Sequence, residues 1–291
     1  MHRGAYVPLS VVFTLQPTEE ATLPAHLGRA TQAWWLQQVR ERDAALARRL
    51  HEPNATRPFT VSNVWPMGRA REGQVRVGAG QQVFLRVTAL EGEVAALLQG
   101  LLESPPESVP LAETLFEVKA VAAEATEHPW AGQASYEELV QRYTLSAQRV
   151  SPHVTLRFAS PTVFRSRDRN VPLPQPELVF GSLLNRWNEF APLRLPEEAR
   201  RFAQECLALS RCWMRTEYVR FGEEGRGAVG FVGACRFAML NRDPYWMRLM
   251  HLLAAFSLYA GMGRWTTVGL GQVRVVSSPK SSVSSRSKAK D

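Results

Sequence analysis

Apolar residues fall on every second position from Val7 to Leu15, namely Val7, Leu9, Val11, Phe13 and Leu15. That is the period of a strand with one face in a core, and the order of elements that follows constrains the fold more tightly than any other feature. A helical region follows Pro24, carrying Leu27, Trp34 and Val39 among charged residues, and Asp43 is placed to cap a further short helix through Leu46 and Leu50 that ends near His51. After a Pro53–Asn54 turn come two strand-like runs, Pro58 to Trp65 and Gln82 to Ala89, joined by a Gly- and Arg-rich segment that we read as an extra hairpin. Glu91 to Leu102 reads as a helix and Leu115 to Ala125 as a strand. The first half therefore runs βαββαβ.

The second half repeats that order with little sequence likeness, as two copies of one architecture do after long divergence. Val154 to Phe158 and Thr162 to Arg165 are strand-like. Pro176 opens a helix whose Phe180, Leu183, Leu184, Trp187 and Phe190 share a face, and Glu197 to Leu209 continues as another. Arg211 to Phe221 and Ala228 to Phe237 flank Gly222, Gly225 and Gly227 as a hairpin. A helix from Asp243 to about Tyr259 and a strand from Gln272 to Val276 complete the set. The expected fold class is α+β, two tandem ferredoxin-like (RRM-like) domains over residues 1–135 and 145–276. Their boundary is expected between about Glu127 and Val150, where His128, Pro129 and Gly132 interrupt the periodicity, and residues 277–291 read as a disordered, basic, Ser-rich tail.

The longest uncharged apolar stretch, Leu249 to Gly263, holds His251 and falls short of the roughly 18 to 20 residues that span a bilayer. It reads as a buried helix, with no membrane association. The N-terminus lacks a long apolar core, so a cytoplasmic protein is expected. Cys206, Cys212 and Cys235 form no CxxC pair and leave an odd thiol, which points to neither a disulfide framework nor a zinc site. We read them as packed or idle. The net charge is +8, and Lys280, Arg286, Lys288 and Lys290 against Asp291 place +3 of it in the tail. Lys119 is the only lysine of the remainder, so nearly all positive charge there is arginine, whose planar fork suits phosphates and base stacking. A GC-rich genome would give the same bias, so the charge alone decides nothing.

The chemistry concentrates in Gly261-Met262-Gly263-Arg264-Trp265-Thr266-Thr267-Val268-Gly269-Leu270-Gly271, two Gly-apolar-Gly clusters five residues apart. Glycine lets backbone amides turn toward an anion, so Gly261, Gly263, Gly269 and Gly271 are expected to present amides to a phosphate. Arg264 and Thr266 would add charge and a hydroxyl, and Trp265 a surface for an unpaired base. A dinucleotide-binding loop would follow a strand and open a helix, whereas this one follows a helix and opens a strand. Arg165, Arg167 and Arg169 form a basic loop suited to gripping RNA phosphates.

With this loop in view, the chain resembles the CRISPR-associated endoribonucleases that cut repeat RNA into guide units, of the RAMP superfamily. Their C-terminal loop is Gly-apolar-Gly, five residues, Gly-apolar-Gly, which residues 261–271 match in full. The run Leu50-His51-Glu52-Pro53-Asn54-Ala55-Thr56-Arg57-Pro58-Phe59-Thr60-Val61-Ser62 is similar to the family's first-domain segment, in which a histidine ends a helix and a basic residue precedes Phe-Thr-x-Ser. Phe158 to Phe190 is similar to the second domain of many members.

The resemblance implies metal-independent cleavage without a cofactor: the ribose 2′-hydroxyl attacks its own phosphate, leaving a 2′,3′-cyclic phosphate and a 5′-hydroxyl. Such a reaction requires a base, an acid and a cation near phosphorus. An imidazole titrates near pH 6.5 and suits the proton transfers, which makes His51 the expected catalytic residue and Arg57 its charge-stabilising partner. Some members place a tyrosine about fifteen residues before the histidine. Here that count lands on Leu36, beside Trp35, which leaves the second proton-transfer group unassigned and His26 in reserve. The implied partners are CRISPR repeat RNA and guide RNA, with a multi-subunit effector complex and a homodimer as further associations. A non-catalytic repeat-RNA-binding subunit is the alternative. In either case the expectation is a cleft between the halves that gathers the imidazole and the glycine amides around one ribose-phosphate linkage.

Overall fold

The computed structural model describes residues 7–53, 55–147, 149–220 and 227–276. The basic tail, and Gly222 and Gly225 of the second hairpin, lie outside them. The alternating residues of the first strand, β1 (Leu9–Pro17), place Leu9, Val11, Phe13 and Leu15 fully in the core. After it the chain runs through a short strand, β2 (Ala21–Pro24), and two helices, α1 (Gly28–Arg42) and α2 (Ala44–Leu50). Asp43 caps α2 by accepting from the backbone of Ala45 and Leu46, as its position predicts. Next come β3 (Phe59–Val61), β4 (Gln74–Val77), β5 (Val83–Ala89), α3 (Gly92–Glu103), β6 (Ser108–Leu111) and β7 (Thr114–Ala122). The sheet order β3-β5-β1-β7-β6 puts the fourth strand of the βαββαβ set beside the first, and the third beside the second. This is the ferredoxin-like arrangement. Trp34 and Trp35 of α1 pack edge-on and tilted against Phe13 and Phe59, so both tryptophans are core residues.

The second set repeats the arrangement. The strands β9 (His153–Thr162), β12 (Leu207–Arg220), β13 (Gly227–Met239) and β14 (Val273–Val275) form a sheet in the order β12-β13-β9-β14. The helices α5 (Pro176–Phe190), α6 (Glu198–Cys206) and α7 (Pro244–Ala260) contribute to one buried cluster with that sheet, through Phe180, Trp187, Phe202, Leu253 and Phe256. Among the described residues no helix is long and apolar enough to cross a membrane.

Four local expectations are corrected. Between the halves, where the periodicity breaks, the chain adds a strand to β1 through β8 (Gly132–Gln133) and forms the helix α4 (Tyr136–Thr144), started by a capping box of Ser135 and Glu138. The Gly- and Arg-rich segment turns back on itself only at the antiparallel bridge of Arg71 with Gln74, and its strand β4 pairs with β2, some fifty residues away in sequence. Thr162 ends β9 instead of opening a strand, and the basic loop Arg165–Arg169 is a tight hairpin of β10 (Phe164–Ser166) and β11 (Arg169–Val171). The helix expected to reach Leu209 stops at Cys206, because Leu207 already pairs with Met239 in the sheet.

Candidate nucleic-acid interface

The glycine loop links α7 to β14 and folds back on itself. The Met262 amide donates to the Gly271 carbonyl at 2.9 Å, the Gly271 amide to Pro161 at 3.1 Å, and the Gly263 amide to the Ser182 hydroxyl at 3.0 Å. The amide of Gly261 closes α7 on Ser257. These amides are committed inside the protein, so the expected cradle of free glycine amides is not what the motif builds at Gly261, Gly263 and Gly271. Close approach is the reason for glycine here. A Cβ on Gly271 would stand 2.0 Å from the Met262 carbonyl, on Gly263 2.4 Å from that of Val163, and on Gly269 2.8 Å from the Asn63 amide, and all three glycines have positive φ. The two Gly-apolar-Gly clusters therefore press against each other and against both halves, and Ser62 pairs with Gly269 as a parallel bridge. Between them, Trp265 takes a left-handed conformation and opens a 3-10 turn, Thr266–Val268. Thr266 is buried and accepts from Arg186 of α5 at 2.5 Å. What remains outward is Arg264, which stacks over Trp265 and donates to Asn170 at 2.8 Å.

That last bond joins the loop to the arginine hairpin. Arg167 and Asp168 both have positive φ, the geometry of a two-residue type I′ turn. Arg165 pairs with Asp168, while Arg167 and Arg169 are exposed with no ion-pair partner among the described residues. Two motifs about a hundred residues apart in sequence thus become one basic patch.

On its other side the loop meets α1. A Cβ on Gly28 would stand 1.9 Å from the Val268 carbonyl, so the first turn of α1 is seated directly on the loop. From there a groove of about 570 Å³ follows α1, lined by Arg29, Gln32, Ala33, Leu36, Gln37, Arg40 and His51. Spacings of three, four, seven, eight and eleven residues put the helical members on one face. From Arg29 to Arg40 that face is about 16 Å long. Arg29 and Arg40 are exposed and without ion-pair partners among the described residues. His51 is exposed at the C-cap of α2, and its Nδ1 lies 2.6 Å from the Ala47 carbonyl. A carbonyl only accepts, so Nδ1 carries the hydrogen and Nε2 of the neutral ring carries the lone pair. Arg57, beyond the loop that follows His51, is half-buried and reaches the Ala55 carbonyl at 3.4 Å. The Thr60 and Ser62 hydroxyls of the adjoining motif serve the fold, in hydrogen bonds with Thr88 and with the Arg86 amide.

His26 is elsewhere. It lines a cavity of about 830 Å³ between the two sheets, with Asn63, Trp65, Arg86, Arg157 and Gln272. The cleft between the halves, expected to gather the catalytic imidazole and the glycine amides, holds the reserve candidate His26 and not His51, which faces the groove on α1. Neither ring nitrogen of His26 has a hydrogen-bond partner among the described residues, and burial pushes its pKa from 6.5 down to about 4. It is neutral at pH 7. Because the folded pKa lies below the unfolded one, the unfolded chain binds the proton first as pH falls. Stability is therefore lost between pH 6.5 and about 4, by up to about 3 kcal/mol from this ring. His26→Phe is expected to shrink that acid-induced loss, read as the difference in urea midpoint between pH 7 and pH 5. An unchanged difference would contradict the assignment.

The sequence reading missed the face of the second sheet turned toward this cavity. The register sets Trp213 beside Ala234, Arg157 and Arg274 in one row, and Arg211 beside Arg236 in the next. Arg215 and Arg157 line the cavity, and Arg274 and Arg86 lie over the ring of Trp130. Arg86 also ties the halves together: it is fully buried, donates to the Leu258 carbonyl at 2.7 Å and to the Gln272 side chain, and burial lowers its pKa to about 9. The alternation Arg211-Cys212-Trp213-Met214-Arg215 was the available signal.

The paired ferredoxin-like sheets make a RAMP-like fold, shared with a solved RAMP protein 14% identical to this chain, with TM-score 0.60. Two family models divide the chain: the CRISPR Cas6 N-terminal domain matches residues 7–141 and CRISPR-associated endoribonuclease Cas6 matches residues 156–273. The chain belongs to the Cas6 family of CRISPR-associated endoribonucleases. Similar solved structures include a Thermus thermophilus Cas6 product complex, 26% identical over 94% of this chain and 100% of that one, with TM-score 0.75. A second Cas6 product complex is 29% identical over 93% and 99%, with TM-score 0.72. A Cas6 substrate-mimic complex is 28% identical over 93% and 100%, with TM-score 0.70. No curated protein matches the sequence.

Proposed function

We propose that the protein binds CRISPR repeat RNA and cleaves precursor transcripts into guide RNAs, without a metal ion, by attack of the ribose 2′-hydroxyl on the adjacent phosphate. The observation that carries this reading is His51, exposed at a helix end with Nδ1 held by Ala47 and Nε2 free for the groove between Arg29 and Arg40. Nε2 takes the proton of the 2′-hydroxyl as the O2′–P bond forms and the P–O5′ bond breaks, and the 5′-oxygen recovers a proton from the imidazolium or from water. Products are a 2′,3′-cyclic phosphate and a 5′-hydroxyl. The negative charge gathering on phosphorus is met by Arg29 and Arg40, with Arg57 at the exit of the His51 loop. No carboxylate is among the described residues that line the groove, and hard divalent cations take carboxylate oxygens, so the residues present favour acid-base chemistry. The arginine hairpin with Arg264 and Trp265 holds the RNA next to α1. Related Cas6 proteins in product and substrate-mimic complexes support this assignment of partner, and a relative solved as a histidine-to-alanine mutant supports the attention to histidine.

The deciding experiment incubates repeat RNA with the protein in EDTA, with either ribose or 2′-deoxyribose at the scissile position. The all-ribose RNA is expected to be cut and the deoxy-substituted RNA to be bound but left whole. Cutting of the deoxy substrate would overturn the mechanism. Protection of both substrates would identify a non-catalytic repeat-RNA-binding subunit instead.

A further inference from the structure

The three cysteines look unrelated in sequence, yet the sheet brings two of them face to face. Cys212 of β12 and Cys235 of β13 are direct register partners, and their sulfurs stand 2.7 Å apart. Directly opposed residues of an antiparallel pair have Cα atoms about 4.5–5.5 Å apart, within the roughly 4.4–6.8 Å that a disulfide spans. The backbone beside this pair is irregular. The register shifts between Leu209 and Arg211, and Gly233 sits at φ +138°, where a Cβ would be 2.0 Å from the Trp213 carbonyl.

We propose that Cys212 and Cys235 form a redox-reversible cross-strand disulfide, made by exchange with a low-molecular-weight disulfide such as oxidised glutathione. Access sets the order of events. Cys212 is exposed and Cys235 buried, so the Cys212 thiolate attacks the small disulfide, forming a mixed disulfide and releasing one small thiolate. Cys235 then loses its proton and attacks the Cys212 sulfur, expelling the second. Two protein thiols and one small disulfide become one protein disulfide and two small thiols. Burial together with the neighbouring Cys212 holds the Cys235 thiol well above its usual range, which fits a resolving thiol rather than an attacking one. Cys206 stays outside the pair, which accounts for the odd count. The bond would staple the two strands beside Arg211, Trp213 and Arg215, so that the redox state fixes the strand facing the cavity between the sheets.

The test uses the full chain. It is equilibrated in glutathione buffers from fully reduced to fully oxidised, quenched with an alkylating reagent and mapped by peptide mass. The expected result is a linked peptide pair joining Cys212 to Cys235, with Cys206 alkylated throughout and complete reversal by dithiothreitol. Cys206→Ala should leave the linkage unchanged, and Cys235→Ser should stop at a glutathione adduct on Cys212. Three alkylated thiols in the oxidised buffer, a wild-type adduct that stops on Cys212, a linkage to Cys206, or a covalent dimer through Cys212 would each overturn the proposal.

Discussion

His51→Ala is expected to slow cleavage of repeat RNA by a factor of about 10² to 10⁴, the usual weight of a general acid-base group, while the dissociation constant for the same RNA stays within about twofold. The separation follows from the geometry. The ring is exposed at the end of α2 and anchored, among the described residues, by its Nδ1 bond to Ala47, so its loss leaves no cavity in the core. Proton transfer counts in the transition state and little in the ground state. Single-turnover cleavage and filter binding at one salt concentration measure the two quantities. A variant that cuts at the wild-type rate removes His51 from the mechanism. A variant that loses binding and cutting together makes it a docking residue instead.

Gly271→Ala is expected to lower stability by about 3 kcal/mol or more and to abolish RNA binding with it. Two costs add. Gly271 has φ +66°, and a Cβ there would lie 2.0 Å from the Met262 carbonyl and 3.0 Å from Thr266. The carbonyl belongs to the opposite Gly-apolar-Gly cluster, which is itself bonded back to Gly271, so neither side has room to move. Gly73→Ala is the control: φ is +79° and nothing lies within 4 Å, so conformational strain alone should cost about 1–2 kcal/mol. Urea titrations of both variants give the comparison. If Gly271→Ala costs no more than Gly73→Ala, the clamp is not what the glycines are for.

Both sheets were legible in sequence because their strands alternate and their helices carry apolar faces of the right period. What stayed hidden has identifiable causes. Pro110 in β6 and Pro24 in β2 disguise short strands that lie at sheet edges, where proline is tolerated. The helix α4 lies in a stretch that Pro129 and Gly132 mark as a boundary, although Ser135 and Glu138 spell a capping box. The glycine motif is plain in the sequence, but the reason for its glycines is not. Spacing reveals that glycines are needed, not whether an anion or another strand of backbone makes the close approach. The arginine face of the second sheet was only half visible, for a different reason. Alternation separates two faces of a strand, and only packing decides which one the helices cover. Likewise the motif around His51 ranks it above His26 in sequence, but only burial assigns one to the groove and the other to the space between the sheets.

The helix α1 joins the glycine loop to the groove that holds His51. One end of α1 is wedged against the glycine loop through Gly28, and its exposed face leads toward His51. On the proposed reading the protein works as a ruler: a transcript anchored at the loop is cut at a distance counted in helical turns, about 5.4 Å each. Where the guide ends would then be inherited from the length of one helix.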